Sequence, residues 1–301
     1  MNINTYVRRL ATSALLVAGI AYATGGESAL SRFVEPEWLQ ANLGRPNLRI
    51  IDQRYGIEFY WQNHVPNAVH LYPDVLTLAD GGVPSKLMPP AMLAQILGRM
   101  GITETTMVVS YSEVVDSLSP YLTWALDYLG HERHALLRGE FDRWQAEGRP
   151  LTQAFPTIRA KEYRLPAKLN DSVRATLSQV EAAVKDKKAV ILDVRSPAMY
   201  QGIKGFTKRR GHIPGAINRP WLKDLKPDYT WRDPAELRKE YESLGVTPDK
   251  DIIIYCNKGY RSTHTYVTLK HLLGYPDVAV YDGSFSEWAN IDSLPVDTLA
   301  H

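Results

Sequence analysis

The feature that most constrains this chain is an internal repeat with a period of about 144 residues. Leu137-Arg138-Gly139-Glu140-Phe141 with Trp144 corresponds to Tyr281-Asp282-Gly283-Ser284-Phe285 with Trp288, and in the same register Tyr111 falls on Tyr255 and Ser112 on Cys256. Upstream, His64-Val65-Pro66-Asn67-Ala68 mirrors His212-Ile213-Pro214-Gly215-Ala216 at an offset of 148, and Asp52 after Leu48–Ile51 mirrors Asp193 after Ala189–Leu192. Each half carries a short apolar run of strand length, a helical stretch closed by glycine and a second apolar run. These are Met107–Tyr111, Ser117–Leu129 and Ala135–Leu137 in the first half, and Asp251–Tyr255, Ser262–Leu273 and Val278–Tyr281 in the second. Alternating strands and helices predict an α/β fold of two tandem domains, each a mainly parallel sheet flanked by helices. The period is too long for a solenoid.

The expected organisation is a signal peptide over residues 1–23, a first domain over 31–150, a linker over 151–170 and a second domain over 171–301. Pro150, Pro156 and Pro166 amid polar residues mark the linker. At the start, Arg8 and Arg9 precede an uncharged apolar run from Leu10 to Ala21, and Ala21-Tyr22-Ala23 offers the small residues an export peptidase reads. The chain is therefore expected in the periplasm or secreted, with an uncleaved membrane-anchoring segment as the alternative. Removal of residues 1–23 takes two arginines and no acid, leaving 33 basic residues against 33 acidic ones. That balance argues against a nucleic-acid partner, and cleavage would leave no stable membrane insertion.

One cysteine cannot form an internal disulfide, so Cys256 is a free thiol. A lone cysteine is more often an inert core residue than a reactive one, and its neighbours have to decide. It follows a buried-strand pattern and begins the run Cys256-Asn257-Lys258-Gly259-Tyr260-Arg261 before Ser262-Thr263 open a helix. Unpaired N–H groups and the positive dipole end at a helix start favour a thiolate or a bound anion, and Lys258 and Arg261 add full charges. Gly259 permits the tight turn of an anion cradle.

This six-residue loop resembles the active-site loop of the rhodanese family of sulfurtransferases. Asp193-Val194-Arg195-Ser196, Gly211–Ala216 and Tyr281–Trp288 are similar to further motifs of that family, and the resemblance spans roughly residues 31–295. It implies that Cys256 is a nucleophile that takes the outer sulfur of thiosulfate as a persulfide, releases sulfite, and yields the sulfur to cyanide or a thiol. Asn257, Lys258, Gly259, Tyr260, Arg261 and Arg195 are the implied substrate-binding residues, and His212 is implied to be structural. The partners expected are a small anionic sulfur donor, a thiol or cyanide acceptor and a sulfur-acceptor protein, with no cofactor. Two departures leave donor specificity open: Met199 stands where many members carry an acid, and Asn257 where thiosulfate-specific members often carry Arg. The basic run of Lys204, Lys208, Arg209 and Arg210 is either a solvated face or a steering patch for anionic donors.

Ser112 cannot form a persulfide, and Glu113 and Asp116 beside it would repel anions, so the first domain is expected to be catalytically silent and to wall the pocket. No Gly-x-Ser-x-Gly elbow supports a serine nucleophile. Phosphatases and arsenate reductases of the same fold place five residues between Cys and Arg, whereas four separate Cys256 from Arg261 and Ser262 stands at the longer spacing. A 3-mercaptopyruvate sulfurtransferase and a non-turnover persulfide carrier remain as rivals. Eight scattered histidines and one cysteine give no metal-ligand spacing, so no metal is expected.

Overall fold

The computed structural model describes residues 31–113 and 118–298; the proposed signal segment, Asp116 and Ser117 lie outside them. The first domain is built on β1 (Phe33–Val34), β2 (Leu48–Asp52), β3 (Ala68–His70), β6 (Met107–Tyr111) and β7 (His134–Leu137), in the order β1-β7-β6-β2-β3. A small antiparallel pair, β4 (Thr77–Asp80) and β5 (Val83–Leu87), projects from it. The second domain repeats the plan with β8 (Arg174–Ala175), β9 (Val190–Asp193), β10 (Ile217–Asn218), β11 (Ile252–Tyr255) and β12 (Val278–Tyr281), in the order β10-β9-β11-β12-β8. Every pairing within the two five-stranded sheets is parallel. Parallel sheets are covered on both faces, which explains why β6 and β11 read as unbroken apolar runs and are buried along their whole length.

The helices of the first domain are α1 (Pro36–Asn42), α2 (Ile57–Gln62), α3 (Pro90–Arg99), α4 (Ser119–Tyr128) and α5 (Glu140–Ala146). Those of the second are α6 (Leu177–Asp186), α7 (Pro197–Tyr200), α8 (Pro234–Ser243), α9 (Tyr260–Tyr266) and α10 (Ser284–Trp288). The expected helix over Ser262–Leu273 begins two residues earlier, because Gly259 at φ 98° turns the chain directly into it, and winds as a π-helix over Val267–Leu272.

Each sheet has an outer-face core of its own, whereas the inner faces share one continuous core running from Phe33 through Trp124, Tyr121 and Tyr260 to Val280. α4 is buried at all ten of its positions because it is covered both by its own sheet and by α9. The stretch between the domains is packed as well. Thr152 bridges to His64, the Lys161 N–H donates to the Gly98 carbonyl at 2.8 Å, and Tyr163 is buried beside His131. Among the described residues no helix is long and apolar enough to cross a membrane.

Candidate active site

β11 delivers Cys256 to the end of the second sheet, where the side chain is 2% exposed. The Gly259 N–H donates to its Sγ at 3.2 Å, so the loop folds back over the sulfur and offers it a backbone donor. Glycine suits this position because its φ of 98° is one that L side chains rarely adopt, and a Cβ would crowd Asp282 Oδ1 and Tyr121 Cε2, each at 3.2 Å. α10 buttresses the loop from behind: the Cys256 N–H donates to Ser284 Oγ at 3.3 Å, and the Phe285 N–H donates to the Cys256 carbonyl at 3.0 Å. Ser286 binds the Asn257 carbonyl through both its N–H and its hydroxyl.

In front of the sulfur lies a cleft of about 420 Å³ between the domains, lined by Cys256, Asn257, Lys258, Tyr260 and Arg261 with Tyr55, Asp74, Leu118 and Phe206. Five of the seven sequence-predicted site residues line it, and Gly259 sits behind them as a donor to the sulfur. Arg261 is exposed and has no ion pair among the described residues. Lys258 is half-exposed, but its Nζ lies 3.7 Å from Asp74 Oδ1, which also accepts the Tyr260 hydroxyl at 2.7 Å. The first domain thus places a carboxylate inside an otherwise cationic cleft. Burial, followed by Asp74, drives the Tyr260 phenol well above its ordinary range, so this hydroxyl remains a donor. Tyr55, bonded to Tyr72 and beside Asp74, is pushed up to about 12.

Arg195 is not brought to the cleft. It is 1% exposed, grips Asp193 with Nε at 3.0 Å and Nη2 at 2.6 Å, donates to the Gly211 carbonyl at 2.7 Å, and lies over the Phe285 ring at 4.0 Å. Nε and Nη2 are thereby committed to the protein's own acceptors. The first domain makes the same arrangement from Arg54, Asp52 and Phe141, with Arg54 Nη2 2.7 Å from Asp52 and the guanidinium 3.7 Å from the ring centre. A device present in both repeats belongs to the fold. Tyr111 and Tyr255 complete it, each donating to the second oxygen of its aspartate at 2.7 Å. His212 is structural in the same sense, stacked on Tyr200 with Nδ1 2.8 Å from that residue's carbonyl, as His64 is on Tyr60.

Of the basic run, Lys208 pairs with Asp292 at 3.0 Å, and Arg209 caps the carbonyls of Trp288, Ala289, Ile291 and Leu294, so these two fasten the C-terminal segment instead of facing the cleft. The two departures meet each other: the Asn257 amide lies 3.5 Å from Met199 Sδ. Sequence reasoning missed Tyr55, Asp74, Leu118 and Phe206, which enter from connections and, for Asp74, from the short 3-10 turn Pro73–Leu76, none with a periodic pattern. It also missed Asp282, whose carboxylate accepts the Leu87 N–H at 2.7 Å and the Tyr121 hydroxyl at 3.3 Å from the other domain. An acid directly after the apolar strand run and before Gly283 was the available signal.

In the first domain, the residue equivalent to Ser284 is Glu140. Its buried carboxylate accepts the Ser112 N–H at 2.7 Å and the Ser119 hydroxyl at 2.5 Å, and burial pushes it up to about 8. Glu140 and Ser284 share a left-handed backbone, at φ 55° and 53°.

The profile of the Rhodanese-like domain matches twice, over residues 35–147 and 176–291. The chain is 36% identical to the sulfur carrier protein TtuD of Thermus thermophilus over 274 residues, covering 87% of this chain and 95% of that one. It is 32% identical to a thiosulfate sulfurtransferase of Azotobacter vinelandii over 270 residues, covering 90% and 98%. Among solved structures, the crystal structure of YnjE superposes with a TM-score of 0.80 at 21% identity, over 90% of this chain and 69% of that one, a likeness of fold alone.

Proposed function

This chain belongs to the rhodanese family, two copies of whose domain it carries, and from that premise we propose that it moves sulfane sulfur from thiosulfate to a thiophilic acceptor through a Cys256 persulfide. The observation that carries the reading is the Cys256 sulfur at the floor of the cleft, held under the Gly259 N–H with Lys258 and Arg261 at the walls. The Cys256 thiolate attacks the outer sulfur of thiosulfate, the S–S bond of the donor breaks, and sulfite leaves with the bonding pair. The terminal persulfide sulfur then passes to cyanide as thiocyanate, or to a thiolate as a new persulfide, and the Cys256 thiolate is restored. The Gly259 N–H, Lys258 and Arg261 face anions in both steps and stabilise the charge where it is displaced. The first domain is catalytically silent and supplies a wall of the cleft. The basic start and apolar run through Ala23 support export by a signal peptide, with an uncleaved membrane anchor as the alternative, and hence sulfur chemistry outside the cytoplasm.

One observation favours a second reading, a persulfide carrier that hands its sulfur to a protein. Phe206, 85% exposed, stands at the cleft mouth near Tyr55, where an apolar surface suits a protein acceptor better than cyanide. Mass spectrometry after thiosulfate treatment, with thiosulfate:cyanide turnover measured in parallel, tests both. Sulfur addition at Cys256 with sustained turnover, both lost in Cys256→Ala, is the expected result. Loading without turnover selects the carrier, and full activity in Cys256→Ala overturns the assignment.

A further inference from the structure

We propose that Asp127, His134 and His271 form a binding site for a divalent transition metal of the zinc class, one that ties the two domains together away from the sulfur chemistry. The three come from separate elements: Asp127 from α4 and His134 from β7 in the first domain, and His271 from the π-helical turn of the second. Their candidate ligand atoms all lie within 4.8 Å of one another. Two imidazoles and a carboxylate are a donor set that zinc takes, with a fourth position left for water.

The hydrogen bonding around His134 points to a missing cation. Its Nδ1 lies 2.6 Å from the carbonyl oxygen of His131, which can only accept, so Nδ1 carries the proton. The other nitrogen, Nε2, is aimed at Asp127 Oδ1 at 3.3 Å where His134 is 1% exposed. No hydrogen bond satisfies that Nε2. A metal between the two atoms satisfies both. Tetrahedral bonds of 2.0–2.1 Å subtend ligand pairs at about 3.3 Å, the separation already present here.

The surroundings fit as well. A backbone carbonyl holding the far nitrogen of a ligating histidine is the usual way its ring is oriented, and the Tyr266 hydroxyl, 3.0 Å from Asp127 Oδ2, braces the carboxylate. On the other side of Asp127, His271 Nε2 lies 2.6 Å from Oδ2 and its side chain is 10% exposed, which opens a route from solvent. Closing the set requires the His271 ring to shift relative to His134, and a π-helical turn is the kind of segment that accommodates such adjustment. One cation competes: Arg32 Nη2 is 3.4 Å from Asp127 Oδ1, on a side chain 21% exposed whose Nη1 donates to the Glu132 carbonyl, and a metal would have to displace it.

The test uses the full chain carrying Cys256→Ser, so that the thiolate cannot take the metal. Zinc is measured by equilibrium dialysis, the Tm with and without zinc, and the imidazole nitrogens by 15N NMR. We expect one zinc per chain, a Tm raised by about 5 °C at zinc a hundredfold above its dissociation constant, and shifts confined to the Nε2 signals of two histidines. His271→Gln, which keeps a donor to Asp127, removes the binding and the Tm shift. Absence of stoichiometric zinc, unchanged histidine signals on binding, or equal binding by His271→Gln overturns the proposal. The NMR arm decides the matter even where the variant folds poorly.

Discussion

At the end of β6 the chain presents Ser112, whose N–H is taken by the carboxylate of Glu140; at the end of β11 it presents Cys256, whose N–H goes to the hydroxyl of Ser284. Around these two junctions the domains are nearly superimposable in design, down to the Asp-Arg-Tyr cluster and the left-handed residue that opens α5 and α10. The comparison separates what the fold needs from what the chemistry needs. An acid fills the first cradle from inside the protein, whereas the second is left with a small neutral hydroxyl beneath a loop that faces an open cleft.

The largest effect tests the difference at the sulfur itself. Cys256→Ser makes the second junction resemble the first, and sulfur transfer should fall by at least about 10⁴-fold. The reciprocal Ser112→Cys in that background should gain no sulfur by mass spectrometry, because Glu140 holds the position; a persulfide at residue 112 would show that the missing thiol alone keeps the first domain silent. Next comes the shared cluster. Arg54→Ala and Arg195→Ala should each cost about 3–5 kcal/mol in denaturant unfolding, since each strands a buried aspartate. For Arg195→Ala the KM for thiosulfate should hardly move in protein that remains folded, and a selective rise in KM would return Arg195 to substrate binding.

Exchanging the buttress sharpens the comparison further. Ser284→Glu, tolerated by the same backbone at Glu140, should lower kcat/KM for thiosulfate by about 100-fold, or about 2.7 kcal/mol. Glu140 also leaves a trace in stability. Its folded value of about 8 lies above the ordinary 4.5, so the folded state holds a proton that the unfolded state releases between them. Unfolding free energy should therefore fall as pH rises through that window, by up to about 1.4 kcal/mol per pH unit, with the stabilisation fully present below 4.5 and fully lost above 8. Glu140→Gln should flatten the slope in equilibrium unfolding measured across pH. The smallest effects concern Asp74, the one acid among the described residues that line the cleft. Lys258→Ala should raise the KM for thiosulfate about fivefold, whereas Asp74→Asn should lower it about threefold by freeing Lys258. Movement of both in the same direction would mean that the 3.7 Å pair acts as a unit.

The duplicated α/β plan was legible because buried parallel strands leave unbroken apolar runs such as Ile252–Tyr255, and because one repeat supplies a register for the other. Cys256 and its loop were legible from a glycine and two cations after such a run. Arg195 was misplaced because an Asp-x-Arg turn reads identically whether the guanidinium faces a ligand or folds back on its own aspartate. Reading Arg54 as its counterpart in a domain without the cysteine would have resolved it. Asp74, Tyr55 and Phe206 were invisible for another reason: they reach the cleft through tertiary packing of aperiodic segments. Asp127, His134 and His271 likewise meet only when α4 and β7 of one half are set against the π-helical turn of the other, and no local spacing encodes that.

Asp282, almost fully buried, takes two of its hydrogen bonds from the backbone of Leu87 and the ring hydroxyl of Tyr121 in the other domain and a third from Arg174 of its own, and it stands directly against Gly259. The consequence is evolutionary. Once a duplicated half has become a partner of a buried charge beneath the Cys256 loop, truncation carries a cost, because the surviving half would inherit a carboxylate that keeps Arg174 but loses its two donors from the other domain. The first copy is held as by a ratchet, free to drift at Ser112 yet constrained at the few positions its sister leans on.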